Sequence, residues 1–115
     1  MTQFVLNLSD GSVSFSFSAE AARELRAAIA QLMASLKTTA AAKASGASKP
    51  SPQPVMEYRH VGDVFLELFC NPNIWSSPFA AKVLVTLRDD RIRLTTEVEL
   101  TRLTDDLNQF LDQCG

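Results

Sequence analysis

His60, Asp63 and Cys70 supply, within one short stretch, the side-chain types from which a general base, its orienting carboxylate and a nucleophile are made. That chemistry needs a thiolate within hydrogen-bond reach of an imidazole. Nothing in the spacing brings the three groups together. His60 is the only histidine, and Cys70 closes the apolar run VFLELFC, where a thiol behaves as a small hydrophobe. Structural roles are expected for both, so the chain reads as having no catalytic residues. Metal chemistry has no better footing, because two distant cysteines and one histidine match no zinc spacing. Asp89-Asp90 and Asp105-Asp106 are adjacent pairs whose side chains diverge. They read as a turn and a solvated helix face. The four glycines form neither phosphate-loop pattern. No metal or cofactor is expected.

Two surface features suit recognition better. The segment NPNIWSSPFA, residues 71–80, is loop-like in composition yet holds Ile74, Trp75 and Phe79. Trp75 either folds back to cap the core or anchors a partner, tryptophan being enriched among binding hot spots. The second feature is charge separation. Lys82, Arg88, Arg91 and Arg93 cluster on one predicted hairpin, and Glu97, Glu99, Asp105, Asp106 and Asp112 follow it. Such a hairpin suits an acidic protein partner better than RNA, since it lacks the interleaved aromatic residues that single strands stack on.

The bulk properties narrow the class further. With 115 residues, 46% hydrophobic and 21% charged, the chain is expected to form one soluble domain. A net charge of −2 gives no general attraction to nucleic acid or anionic membrane. No apolar run approaches the roughly 18 residues of a membrane span, and the opening residues lack the pattern of a secretory leader. A cytoplasmic location with reduced thiols is expected.

The elements that would position these residues read as a hairpin and helix, made twice. Alternation over Phe4, Leu6, Leu8, Val13, Phe15 and Phe17 gives one apolar hairpin face. Asp10-Gly11 is the expected type I′ turn, pairing Leu8 with Val13, Leu6 with Phe15 and Phe4 with Phe17. Ser18 caps a helix whose stripe is Ala21, Leu25, Ala28, Ile29, Leu32, Met33 and Leu36. Near the other end, Asp89-Asp90 is the expected turn, pairing Leu87 with Ile92, Val85 with Leu94 and Val83 with Thr96. Thr96 to Glu99 then fits a capping box. It leads a helix with Leu100, Leu103, Leu107, Phe110, Leu111 and Cys114 on one face, and Gly115 at its end. The matching polarity fits a duplication, or one common solution found twice.

Residues 37–54 lack any aromatic or β-branched aliphatic side chain and are expected to be a flexible, basic linker. Its Thr38, Thr39, Ser45, Ser48 and Ser51 would be accessible acceptors for modification. It separates a hairpin–helix unit (3–36) from a strand-rich unit (55–115). There VMEYRH reads as a strand, and VFLELFC fits both a helical stripe and a strand, the short length and aromatic content favouring the strand.

The expected fold is α+β: a single antiparallel sheet of about six strands, in the order ββα-ββββα, with two helices on one face. Val5, Phe65, Phe69 and Leu84 would then point away from the helices, and contiguous apolar residues there need a covering partner. The predicted function is a non-enzymatic protein–protein interaction module, an adaptor, assembly or regulatory factor. A homodimer or protein partner would sit on that open face. The candidate binding residues are Trp75, Ile74, Phe79, Phe65, Phe69, Arg88, Arg91 and Arg93. The alternative is a fold that holds a small apolar ligand between sheet and helices.

Overall fold

Apolar side chains at every second position build the first hairpin, β1 (Thr2–Leu8) and β2 (Gly11–Phe17). The computed structural model describes residues 2–44, 46 and 52–114. Phe4, Leu6, Phe15 and Phe17 are buried, while Val5 and Ser14 on the other face are exposed. The turn differs from expectation. Ser9-Asp10 forms it, so that Leu8 pairs with Gly11, Leu6 with Val13 and Phe4 with Phe15. Among the described residues only Gly46 has a positive φ, so the type I′ turn at Asp10-Gly11 is absent. The register has moved by two residues, which leaves every side chain on its expected face. In this register Phe4 stacks on Phe15 at 5.3 Å, and its other neighbours include Phe110 at 5.4 Å.

Helix α1 (Ala19–Ala44) starts where the sequence places it, the Ser18 hydroxyl accepting from the Ala21 amide at 3.0 Å. It runs well past Leu36, so residues 37–44 of the expected linker are helical. Three consecutive alanines, Ala40 to Ala42, favour helix. Thr39 continues the buried stripe at 3% exposure and is not an accessible acceptor; its hydroxyl donates to the Ser35 carbonyl. Thr38 is exposed. Ser45, Ser48 and Ser51 lie outside the described residues.

The remaining strands are β3 (Met56–Val61), β4 (Phe65–Cys70), β5 (Lys82–Arg88) and β6 (Arg93–Glu99), joined in that order as one antiparallel sheet. VFLELFC therefore resolves as a strand. The β5–β6 turn is centred on Asp90-Arg91, one residue later than expected. The Asp89 carboxylate accepts from the amides of Arg91 and Ile92 at 2.8 and 2.9 Å, and the Asp89 amide donates to the Ile92 carbonyl at 3.0 Å. The Ile92 and Arg91 amides together hold the Asp89 carboxyl below the usual carboxylate range. Leu87 consequently pairs with Leu94 rather than Ile92, and Val85 with Thr96 rather than Leu94. Val83 pairs with Val98 rather than Thr96, and Ile92 is left exposed.

Helix α2 (Leu100–Cys114) follows β6 without a loop. The expected capping box does not form, because Thr96 to Glu99 pair with β5 as strand. The Leu100 amide instead donates to the Ala81 carbonyl at 3.0 Å. Leu100, Leu103, Leu107 and Phe110 are buried as the stripe required. They join Leu66, Leu68, Cys70, Val83, Val85, Leu87 and Val98 of the sheet, and Leu25, Ile29, Leu32 and Leu36 of α1, in one core.

The single six-stranded sheet is the main correction. The chain is α+β with two helices, but β1 and β2 form a separate two-stranded sheet. The first hairpin does not extend the larger sheet; it docks through ring contacts and through α2 side chains that bond the β1 backbone. Phe17 meets the His60 ring edge-on at 5.1 Å. The Asn7 amide and side chain donate to the Asp106 carboxylate at 2.9 and 2.8 Å, and Arg102 donates to the Leu8 carbonyl at 3.1 Å. Asp106 is thus a buried clasp, 7% exposed, not the solvated residue expected; its neighbour Asp105 is exposed.

Candidate functional site

Alternation along β3 to β6 leaves one face of the larger sheet away from the helices. In register across it lie Glu57, Phe69, Leu84 and Glu97; then Arg59, Glu67, Thr86 and Thr95; then Val61, Phe65, Arg88 and Arg93. Phe69 and Leu84 are neighbours, 37% and 40% exposed. Polar residues occupy the middle row, where Arg59 pairs with Glu67 at 2.6 Å. The face is therefore mixed, its apolar surface lying at both ends: exposed Val61 with half-buried Phe65 at one, Phe69 and Leu84 at the other.

The end with Phe69 and Leu84 is completed by the segment after β4. A 3-10 turn, Pro72–Ile74, is capped by the Asn71 side chain, which accepts from the Asn73 amide. The Asn73 side chain meets the Gln53 backbone both ways, accepting from its amide at 2.7 Å and donating to its carbonyl at 2.9 Å. A side-chain amide here mimics a strand neighbour and ties the turn to the chain ahead of β3. The clamp sets Ile74 and Trp75 beside β4 and β5. Together with Phe69, Cys70, Asn71, Lys82, Leu84 and Glu97 they line a surface groove of about 150 Å³.

Trp75 is half-buried against the core, as a cap would be, and also lines the groove. Burial pushes the Cys70 thiol pKa up, and a hydrogen bond from Trp75 partly opposes the shift. A thiol so placed favours its protonated form. Cys70 sits opposite Met56, and His60 opposite Leu66, four residues away along β4, about 13 Å. His60 packs on Phe17, and Asp63 is exposed in the β3–β4 turn. The three groups are not gathered.

Of the sequence-predicted binding residues, Phe69, Ile74 and Trp75 come together. Phe65 and Arg88 form a separate pair at the far end, the guanidinium 4.3 Å from the ring centroid. Arg93 is Arg88's cross-strand neighbour on β6, and Arg91 is exposed in the turn. Phe79 is 83% exposed and does not line the groove. Asn73, which orders the loop, was not singled out from the sequence; its signal was the Asn71-Pro72-Asn73 start of a segment read only as loop-like. No protein-family model, curated protein or solved structure matches this chain.

Proposed function

We propose that this protein is a non-enzymatic interaction module that binds a protein partner on the outer face of its four-stranded sheet. The observation that carries the reading is the groove at the Trp75 end. It combines exposed Ile74, Phe69 and Leu84 with a half-buried tryptophan, between a lysine and a glutamate. An apolar centre with a charged rim is the usual anatomy of a binding patch. The Asn71–Asn73–Gln53 clamp also orders the loop, which lowers the entropy cost of docking. The space between sheet and helices is occupied by interlocking Leu, Val and Phe side chains. That packing favours the interaction reading over a ligand held between the layers. A cytoplasmic adaptor, assembly or regulatory role fits such a surface.

The test is quantitative co-purification from the native cell with two variants. Ile74→Asp introduces a charge at a side chain that is 67% exposed, so the melting temperature should hold while the partner is lost. Trp75→Ala should lose the partner and also lower the melting temperature by a few degrees. A partner retained by both variants refutes the site.

A further inference from the structure

The β6 edge points to a second binding surface, which borders the groove and shares Glu97 with it. In the order β3-β4-β5-β6, β6 is an edge strand, and among the described residues it pairs only with β5. The Asp89–Ile92 backbone bond sets the phase of the β5–β6 ladder. Leu94, Thr96 and Val98 therefore turn their amides and carbonyls toward β5, and Arg93, Thr95, Glu97 and Glu99 turn theirs outward.

We infer that two copies of this chain join antiparallel along β6, about a twofold axis through Thr96. The sequence RLTTEVE complements itself in that register. Arg93 faces Glu99 of the second copy, Thr95 faces Glu97, Leu94 faces Val98, and Thr96 faces Thr96. The outward backbone groups fall into hydrogen-bonded pairs, Thr95 with Glu97 and Arg93 with Glu99, as an antiparallel ladder requires. The even spacing keeps both inner faces on one side, so the result is one continuous eight-stranded sheet.

Charge supports this register. Within the chain Arg93 lies across from Arg88, a like-charge neighbour. Both ion pairs found among the described residues belong to Arg59; Arg93, Glu97 and Glu99 form none, although Glu99 lies across from Lys82 in the ladder. A second copy gives Arg93 a carboxylate on its open flank and gives Glu99 a guanidinium. Leu94 and Thr96 are half-buried and would lose further surface against the second copy, whereas Val98 is already buried within its own chain. The other edge, β3, offers less, because its Arg59 is already held by Glu67 and Glu57.

Sedimentation equilibrium at tens of micromolar should give the mass of two chains. Arg93→Glu should weaken association by on the order of tenfold to a hundredfold, and R93E/E99R should restore it. Arg93 is exposed and the change relieves its conflict with Arg88, so the variant keeps its fold. Thr96→Cys in a Cys114→Ser background should form a disulfide-linked dimer on oxidation. Residues facing each other at a non-hydrogen-bonded position have Cα atoms about 4.5 Å apart, within disulfide range. A single-chain mass at every concentration overturns the inference. So does a dimer that ignores Arg93→Glu and fails to cross-link through Thr96→Cys.

Discussion

Asp106→Ala removes both acceptors of the clasp between β1 and α2. Its carboxylate takes the Asn7 backbone amide at 2.9 Å and the Asn7 side-chain amide at 2.8 Å. A hydrogen bond to a charged group contributes about 1.5–3 kcal/mol. Asn7 is exposed and rehydrates once released, so the low end applies. The expected loss is about 3 kcal/mol for Asp106→Ala. Asn7→Ala breaks only the side-chain bond and should cost about 1.5 kcal/mol. In the double variant the Asn7 change should add almost nothing, giving a coupling of about 1.5 kcal/mol. Urea denaturation of the four chains measures each quantity. In a thermal melt Asp106→Ala should lower the midpoint by roughly 12 °C for a domain of this size. Exposed Asp105 is the control, and its alanine variant should stay within about 0.5 kcal/mol of the parent. Equal stability of the Asp105 and Asp106 variants, or strictly additive single effects, would refute the clasp as a source of stability.

Two further perturbations test the packing. The Tyr58 hydroxyl donates to the Ala21 carbonyl at 3.1 Å, and burial, with a smaller contribution from Glu24, raises its pKa to about 12. The unfolded chain ionises this phenol above about pH 10. Between pH 10 and 12 it therefore binds fewer protons than the folded chain, and stability falls as pH rises. The loss should approach about 2–3 kcal/mol at the upper end of that window, and Tyr58→Phe should flatten it in urea titrations at the two pH limits. At Gly62 an added Cβ would sit 2.8 Å from His60 Nε2. Gly62→Ala should cost about 1–2 kcal/mol by pushing the ring off Phe17, and His60→Ala should abolish that cost in the double variant.

The faces of the strands were legible from alternation, and the reason explains what was not. A period of two is blind to a register shift of two. Phe4, Leu6, Val85 and Leu87 thus reach the core under either pairing, while the partners of Phe4 and Leu87 depend on where each turn falls. Both turns were placed by dipeptide chemistry. The structure has each one residue away, the first at Ser9-Asp10 and the second at Asp90-Arg91, where the Asp89 side chain accepts from the Arg91 and Ile92 amides. The capping box at Thr96–Glu99 failed for a related reason: a cap is worth about 1 kcal/mol, less than continued pairing with β5. Alternation also cannot say what lies beyond a hairpin's edge, so two sheets read as one. The stripe of α2 and the start of α1 were legible because they are local. Of the groove, Ile74 and Trp75 were read as one loop and Phe69 and Leu84 as one sheet face; that the two meet was not legible, because the loop is tied down by Asn73 reaching Gln53, 20 residues away.

The clasp and the aromatic stack join residues far apart along the polypeptide, Asn7 to Asp106 and Phe4 to Phe110. During synthesis the first hairpin emerges long before the helix that shelters it. At about 5–20 residues per second, Phe17 waits on the order of 5 to 20 s for Phe110 to be made. Through that interval Phe4 and Phe15 lack the Phe110 helix, and Phe17 has only its own hairpin and, once made, the His60 ring for aromatic cover. Apolar surface left open in that way is what a chaperone, or a neighbouring nascent copy, would bind.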